Sequence, residues 1–178
     1  MAAAFLAVLF FGILTLWVPA QWPVAAVQVA LFVLVLLCSG ASRVRWHWVL
    51  VPALLLPATG LAQLAARRSE YAFATEEAAV AWFSAACALW LGLQLAGREW
   101  LRRALVWFSF LAAVLAILQL YTSGGRVIWL FPSGAGSEPY VMGPFPYRNH
   151  YAAWIILMLP AALYESFGRR AKIGRAHV

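Results

Sequence analysis

The chain has 178 residues, of which 65% are hydrophobic and only 11% charged, with a mean hydropathy of +0.83. Soluble domains are about half apolar and about a quarter charged, so this composition excludes an ordinary soluble domain and points to a polytopic membrane protein. The formal net charge of +7 comes mainly from arginines grouped beside apolar runs. Positive-inside topology accounts for them, and no nucleic-acid partner is expected.

A helix needs about 20 apolar residues to cross a bilayer, and about 17 suffice. Six stretches qualify, at about 3–20, 23–40, 48–66, 78–96, 104–121 and 150–167. The expected fold class is therefore all-α, a polytopic integral membrane helical bundle of about six transmembrane helices. The N-terminus carries no positive segment before its apolar run, so the first span is expected to stay as an anchor. Pro19 and Pro23 bracket Gln21 and Trp22 in a tight first connection. Cys38 and Cys87 lie within apolar runs and read as small core residues, not as a disulfide or a metal pair.

Trp46-His47-Trp48 marks a membrane boundary. Pro52 and Pro57 interrupt the third span, where a packed kink is favoured over a broken helix lining a cavity. Arg67, Arg68, Glu70, Glu76 and Glu77 mark the third connection, and Arg98, Glu99, Arg102 and Arg103 the fourth. Ser84/Ala88 and Ser109/Ala113 recur at four-residue spacing, which lets helices approach closely. Residues 122–149 form the one long loop, rich in Gly, Ser and Pro.

Loop cations set the orientation. With the N-terminus inside, the cytoplasmic side holds Arg43, Arg45, Arg98, Arg102, Arg103, Arg169 and Arg170. The outer side holds Arg67, Arg68, Arg126 and Arg148. Seven against four favours both ends inside, with the 122–149 loop outside. No span centre carries an Asp, Glu, Lys, Arg or His, which weighs against a proton-coupled transporter or an ion pump. Gln28, Gln63 and Gln119 fall in the outer part of the membrane and Gln94 near the inner face. Interhelical hydrogen bonding is their plain role, and a polar outer vestibule is the sharper one.

Gly143-Pro-Phe-Pro-Tyr-Arg-Asn-His-Tyr-Ala-Ala-Trp154 runs straight from turn formers and polar groups into the sixth span. Gly143, Pro144 and Pro146 disfavour helix, so the chain is expected to run extended and start a helix at Asn149, a fair N-cap. An outward helix N-terminus beside Arg148 favours an anion, above all a phosphate or pyrophosphate. His150 is a candidate general base. The same residues also fit a structural role, with Arg148 snorkelling to head groups and His150 capping the helix.

The segment resembles a motif of the O-antigen ligase/polymerase superfamily, close to Gly-Pro/Thr-Phe-x-Asn-x-Asn-x-x-Ala. Gly143, Phe145, Asn149 and Ala152 match, and Tyr147 replaces the first Asn. The resemblance implies a glycosyltransferase of the bacterial inner membrane that needs neither a nucleotide sugar, a cofactor nor a metal. Its partners would be membrane lipid and a polyprenyl-pyrophosphate-linked glycan, passed to a lipid or protein acceptor at the outer face. It implies donor-side or structural roles for Arg148, Asn149 and His150, with Arg126 in the same outer loop a further substrate-binding candidate. The family's essential Arg and His lie on a later outer loop. Two other readings stay open: a fragment of a transporter or flippase for a lipid-linked substrate, and a small structural membrane protein.

Ile173-Gly-Arg-Ala-His-Val178 is what a common sequencing adapter encodes when read through in one frame. The adapter's leading bases constrain the codon before it to Lys, Gln or Glu, and position 172 is Lys, the one lysine among thirteen basic residues. Residues 172–178 are accordingly expected to be a non-native tail on the front of a longer protein, and the fragment alone to be inactive. A cysteine placed at Gly136 should be labelled by an impermeant thiol reagent from outside the cell. Labelling only after the inner face is exposed would overturn the orientation.

Overall fold

The computed structural model describes residues 1–41, 45–124, 126–129, 131–132, 143–145 and 148–175. Arg43, Pro146, Tyr147, Gly136 with most of the 122–149 loop, and the last three residues lie outside the described set. The described chain is helical apart from one short ribbon. Its elements are α1 (Ala2–Leu14), α2 (Trp22–Ala41), α3 (Leu50–Ala65), α4 (Ala72–Leu95), α5 (Glu99–Thr122), β1 (Arg126–Val127), β2 (Phe131–Pro132) and α6 (Arg148–Arg175).

Six helices form where six spans are expected, but among the described residues three are long and apolar enough to cross a membrane: those at Trp22–Gly40, Ala72–Leu95 and Glu99–Thr122. The 3–20 expectation is corrected to the 13 residues of α1, about 20 Å at 1.5 Å per residue. Thr15 turns its hydroxyl back onto the Phe11 carbonyl at 2.8 Å. The following amides tighten, Leu16 N–H donating to Ile13 and Val18 N–H to Thr15, and Pro19 bars any resumption. The 48–66 expectation shrinks to the 16 residues of α3, because Trp48 and Val49 sit in a turn held by bonds back to His47 and Trp48. The sixth helix starts at Arg148, one residue before the expected Asn149 cap.

The chain divides into two compact units, Met1–Val8 with Val24–Gly97, and Leu9–Pro23 with Arg98–Val178. In the first, α3 and α4 form a hairpin. A Cβ built on Gly60 would lie 3.1 Å from the Cβ of Ala79, so the absence of a side chain lets the two backbones close up. The helix stays continuous through Pro57. It ends in a Schellman motif, the Arg68 N–H donating to Gln63 O at 3.0 Å and the Arg67 N–H to Leu64 O at 3.1 Å. Arg67 occupies the left-handed position at φ +52, where glycine is usual. Phe32 of α2 meets Phe83 of α4 with ring centroids 5.5 Å apart. Gln94 of α4 clamps the backbone of Arg45 before α3, accepting from its N–H at 3.1 Å and donating to its O at 2.7 Å.

In the second unit, α5 and α6 are joined near the α5 start by an ionic cluster. Arg102 Nε donates to Glu165 Oε1 at 2.6 Å, and Arg103 Nε lies 3.8 Å from the other oxygen. Arg103 also pairs with Glu99 at 2.9 Å, and the Arg102 guanidinium sits 4.6 Å over the Tyr164 ring. Glu165 is only 10% exposed at its side chain, so its charge depends on these partners. Both expected small-residue pairs bury their serines, and each hydroxyl is satisfied four residues back within its own helix. The ribbon pairs Arg126 with Pro132 and Val127 with Phe131, antiparallel.

The Gly60–Ala79 approach is directly testable. With Cys38 and Cys87 replaced by alanine, the G60C/A79C variant should form a disulfide on mild oxidation, since bonded cysteines place their Cβ atoms about 3.5–4.5 Å apart. The readout is a mobility shift after proteolysis between the helices. A control pair one residue off register, G60C/V80C, should cross-link far less; equal yields would contradict the packing.

Candidate functional site

The site is built on the turn that brings the chain back to α5. Gly143 adopts φ +63, a conformation other residues take at a cost of about 1–2 kcal/mol. A Cβ there would lie 3.6 Å from the Ala112 carbonyl oxygen and 3.8 Å from the Ala116 Cβ. Space is therefore adequate, and the constraint is one of backbone angle. Gly143, Pro144 and Phe145 are all buried, Phe145 to 3% exposure.

Phe145 anchors a chain of rings. Its centroid is 5.8 Å from Tyr151 and 6.3 Å from Trp154. Trp154 meets Phe108 of α5 edge-on at 6.3 Å, and Phe108 stacks on Phe10 at 4.0 Å with planes 5° apart. The tilted and edge-on contacts of Phe145, Tyr151, Trp154 and Phe108 have spacings favourable for aromatic pairs beyond their buried area. Tyr151 and Trp154 lie three residues apart on α6, so both reach the same side of it.

Arg148, Asn149 and His150 occupy the first turn of α6 and are all exposed. The backbone N–H groups of such a turn have no partner within the helix. Among the described residues, the side chains of Arg148 and Asn149 form no hydrogen bond or ion pair. The segment thus splits by burial: a buried Gly-Pro-Phe holds the turn, and three polar residues face out.

Arg126 lies on β1, exposed, and its side chain likewise pairs with no described residue. Its backbone carbonyl accepts from Gln119 Nε2 at 3.1 Å. Gln119 is fully buried, and its Oε1 has no hydrogen-bond partner among the described residues. At the ribbon tip Ile128 and Trp129 both take positive φ, +49 and +59, and the Trp129 indole donates to Thr122 Oγ1 at 2.8 Å. No hydrogen bond or ion pair joins Arg126 to the α6 first turn. Gln119 serves the ribbon, Gln94 holds Arg45, and Gln63 lines a cleft in the first unit.

Sequence reasoning missed Phe108, Ala112, Ala116 and Gln119 as supports of this site. Ala112 and Ala116 are four residues apart, the spacing that signals a helix face open to close approach. Among the described residues, no three His, Cys, Asp or Glu side chains gather into a group able to hold a metal. The exposed first turn of α6 presents a guanidinium, an amide and an imidazole, a donor-rich set suited to phosphate oxygens.

No protein-family model, curated protein or solved structure matches the chain.

The left-handed turn makes a prediction. Gly143→Ala should lower stability by about 1–2 kcal/mol, read as an earlier thermal unfolding midpoint in detergent. Gly143→Asn should cost less, because asparagine tolerates this conformation better. Equal losses from both would show that the backbone angle is not the cause.

Proposed function

We propose that this chain is the N-terminal part of an O-antigen-ligase-like glycosyltransferase, a multi-pass protein of the bacterial inner membrane. It would transfer a glycan from a polyprenyl-pyrophosphate donor to a lipid or protein acceptor at the outer face. The observation that carries the reading is the division of Gly143–Trp154 into a buried Gly-Pro-Phe anchor and an exposed Arg148-Asn149-His150 at a helix start. The motif residues Gly143 and Phe145 have a structural reason for their identity, and the residues they position are those with affinity for anionic oxygen.

In this reaction the acceptor oxygen bonds to the anomeric carbon and gives up its proton to a base. The bond from that carbon to the pyrophosphate oxygen breaks, and negative charge builds on the leaving group. Arg148 and the α6 N–H groups stabilise that charge, an effect largest where water is excluded. Arg126 supplies a second cation from the ribbon. His150 is the candidate base on this face. The main catalytic loop would follow the sixth span, so the segment here is the donor-binding entrance. The reading also takes α1, α3 and α6 as crossings beside the three helices of full crossing length, with both ends of the segment cytoplasmic.

In the full-length protein, Arg148→Ala should reduce glycan transfer about tenfold or more, the scale of one lost charge-assisted hydrogen bond. Membrane insertion and protein level should stay unchanged, and Arg148→Lys should recover part of the loss. Unchanged transfer in Arg148→Ala would reduce the residue to an interfacial anchor and remove the main support for the reading.

A further inference from the structure

The first unit contains a feature that glycan transfer does not use. The α3–α4 hairpin carries an open groove of about 800 Å³ beside the connecting turn. Away from the turn it is lined by the small residues Gly60, Ala74, Ala78 and Ala79, with Leu56 and Trp82 farthest along the helices. From Gln63 to Leu56 the α3 wall runs about 10 Å at 1.5 Å per residue. Its mouth is polar, with Gln63, Arg68, Ser69 and Glu70 around it and Tyr71 at the rim.

The mouth is rigidly made. The Schellman motif sets Arg68 on the turn, and Arg67 is held in the left-handed conformation to achieve it. The Ser69 and Thr75 hydroxyls lie 2.6 Å apart, and Thr75 also donates to Tyr71 O at 3.2 Å. Arg68 and Glu70 stand two residues apart, yet neither side chain forms an ion pair or hydrogen bond among the described residues. A cation and an anion are thus presented side by side, each with its charge available.

We propose that this cleft binds a membrane phospholipid with a phosphoethanolamine head group. Arg68 takes the phosphate, Glu70 the ammonium, and the first part of one acyl chain lies along the open groove, over Gly60 and Ala79, towards Leu56 and Trp82. Exposed Tyr71 at the rim matches the boundary between head group and chain, where amphipathic aromatic rings settle. The local charge selects against a purely anionic lipid: Arg67 and Arg68 share the turn and the start of α4 with Glu70, Glu76 and Glu77. A phosphate alone would meet one arginine and a carboxylate, whereas a zwitterion satisfies both. The inference rests on α3 and α4 lying in a bilayer and not on the glycan-transfer reading.

The test uses the whole chain purified in mild detergent, with native mass spectrometry against phosphatidylethanolamine, phosphatidylglycerol or diacylglycerol of the same acyl composition. Phosphatidylethanolamine should be retained at least several-fold over the other two. Arg68→Gln should cut its retention about tenfold, the scale of one charge-assisted contact. Glu70→Gln should abolish the preference over phosphatidylglycerol. Ala78→Trp, which fills the cleft from an exposed position, should remove retention while circular dichroism stays unchanged. Equal retention of all three lipids, or insensitivity to both Arg68→Gln and Ala78→Trp, would overturn the site. Preference for phosphatidylglycerol would overturn the head-group assignment. Loss of lipid retention in Arg68→Gln with glycan transfer intact in the full-length protein would separate this cleft from the site at Arg148.

Discussion

The second unit depends on the left-handed turn at Gly143. That one backbone angle sends the chain into α5 between Ala112 and Ala116 and buries Pro144 and Phe145 behind it. Burying a phenylalanine is worth about 1.5–3 kcal/mol, and here the gain is coupled to geometry. Phe145 can meet Tyr151 and Trp154 only if α6 starts just after the turn and shows that side to it. The anchor therefore fixes where the helix begins, and with it which residues occupy the first turn. At the opposite end of the α5–α6 pair, Glu165 is held by Arg102 and Arg103. A helix pinned by rings at one end and by charge at the other has little freedom to slide or rotate.

The two units reach close packing by different means. In the α3–α4 hairpin the contact is between Gly60 and Ala79, where nothing separates the backbones. Such contacts gain dispersion energy and need no hydrophobic drive, which suits helices surrounded by lipid tails. In the α5–α6 pair, large rings and an ion cluster carry the contact. The small residues of α5 are used differently, as a seat for the Gly143 turn. Small residues thus mark a helix–helix approach in one place and a helix–loop approach in another.

That ambiguity explains what was legible in the sequence. The number and rough position of the helices follow from apolar runs, because a long apolar segment has few other ways to satisfy its backbone. Their lengths do not follow. Thr15 and Pro19 cut α1 short by a local hydrogen bond and a ring constraint, and α3 is bounded by turns at Trp48 and Arg67. Hydropathy counts those residues as compatible with a span. The Gly143–Trp154 segment was visible from its residue types, but its split into buried and exposed halves depends on Ala112, Ala116 and Phe108, about thirty to forty residues earlier in the chain. Arg102 and Arg103 were read by sign, as topology markers. Their partner Glu165 lies some sixty residues on and carries no local signal.

Gln119 joins these threads. It sits two turns beyond Ala112 on α5, about 10 Å along the axis, and donates to the Arg126 carbonyl as the chain leaves the helix. Gly143 brings the chain back against Ala112 and Ala116. Both described ends of the long loop are therefore fastened to the same stretch of one helix. Fastening both ends shortens the segment whose ordering must be offset, since closure entropy depends on the residues left between the ties. It also means that Arg126 and Arg148 owe their placement to neighbours on one rigid element, although they lie in different structures and share no contact. A buried, half-satisfied amide is an expensive group to keep in such a place. Its retention is understandable if the carbonyl it holds, and the ribbon behind that carbonyl, are what set the Arg126 backbone.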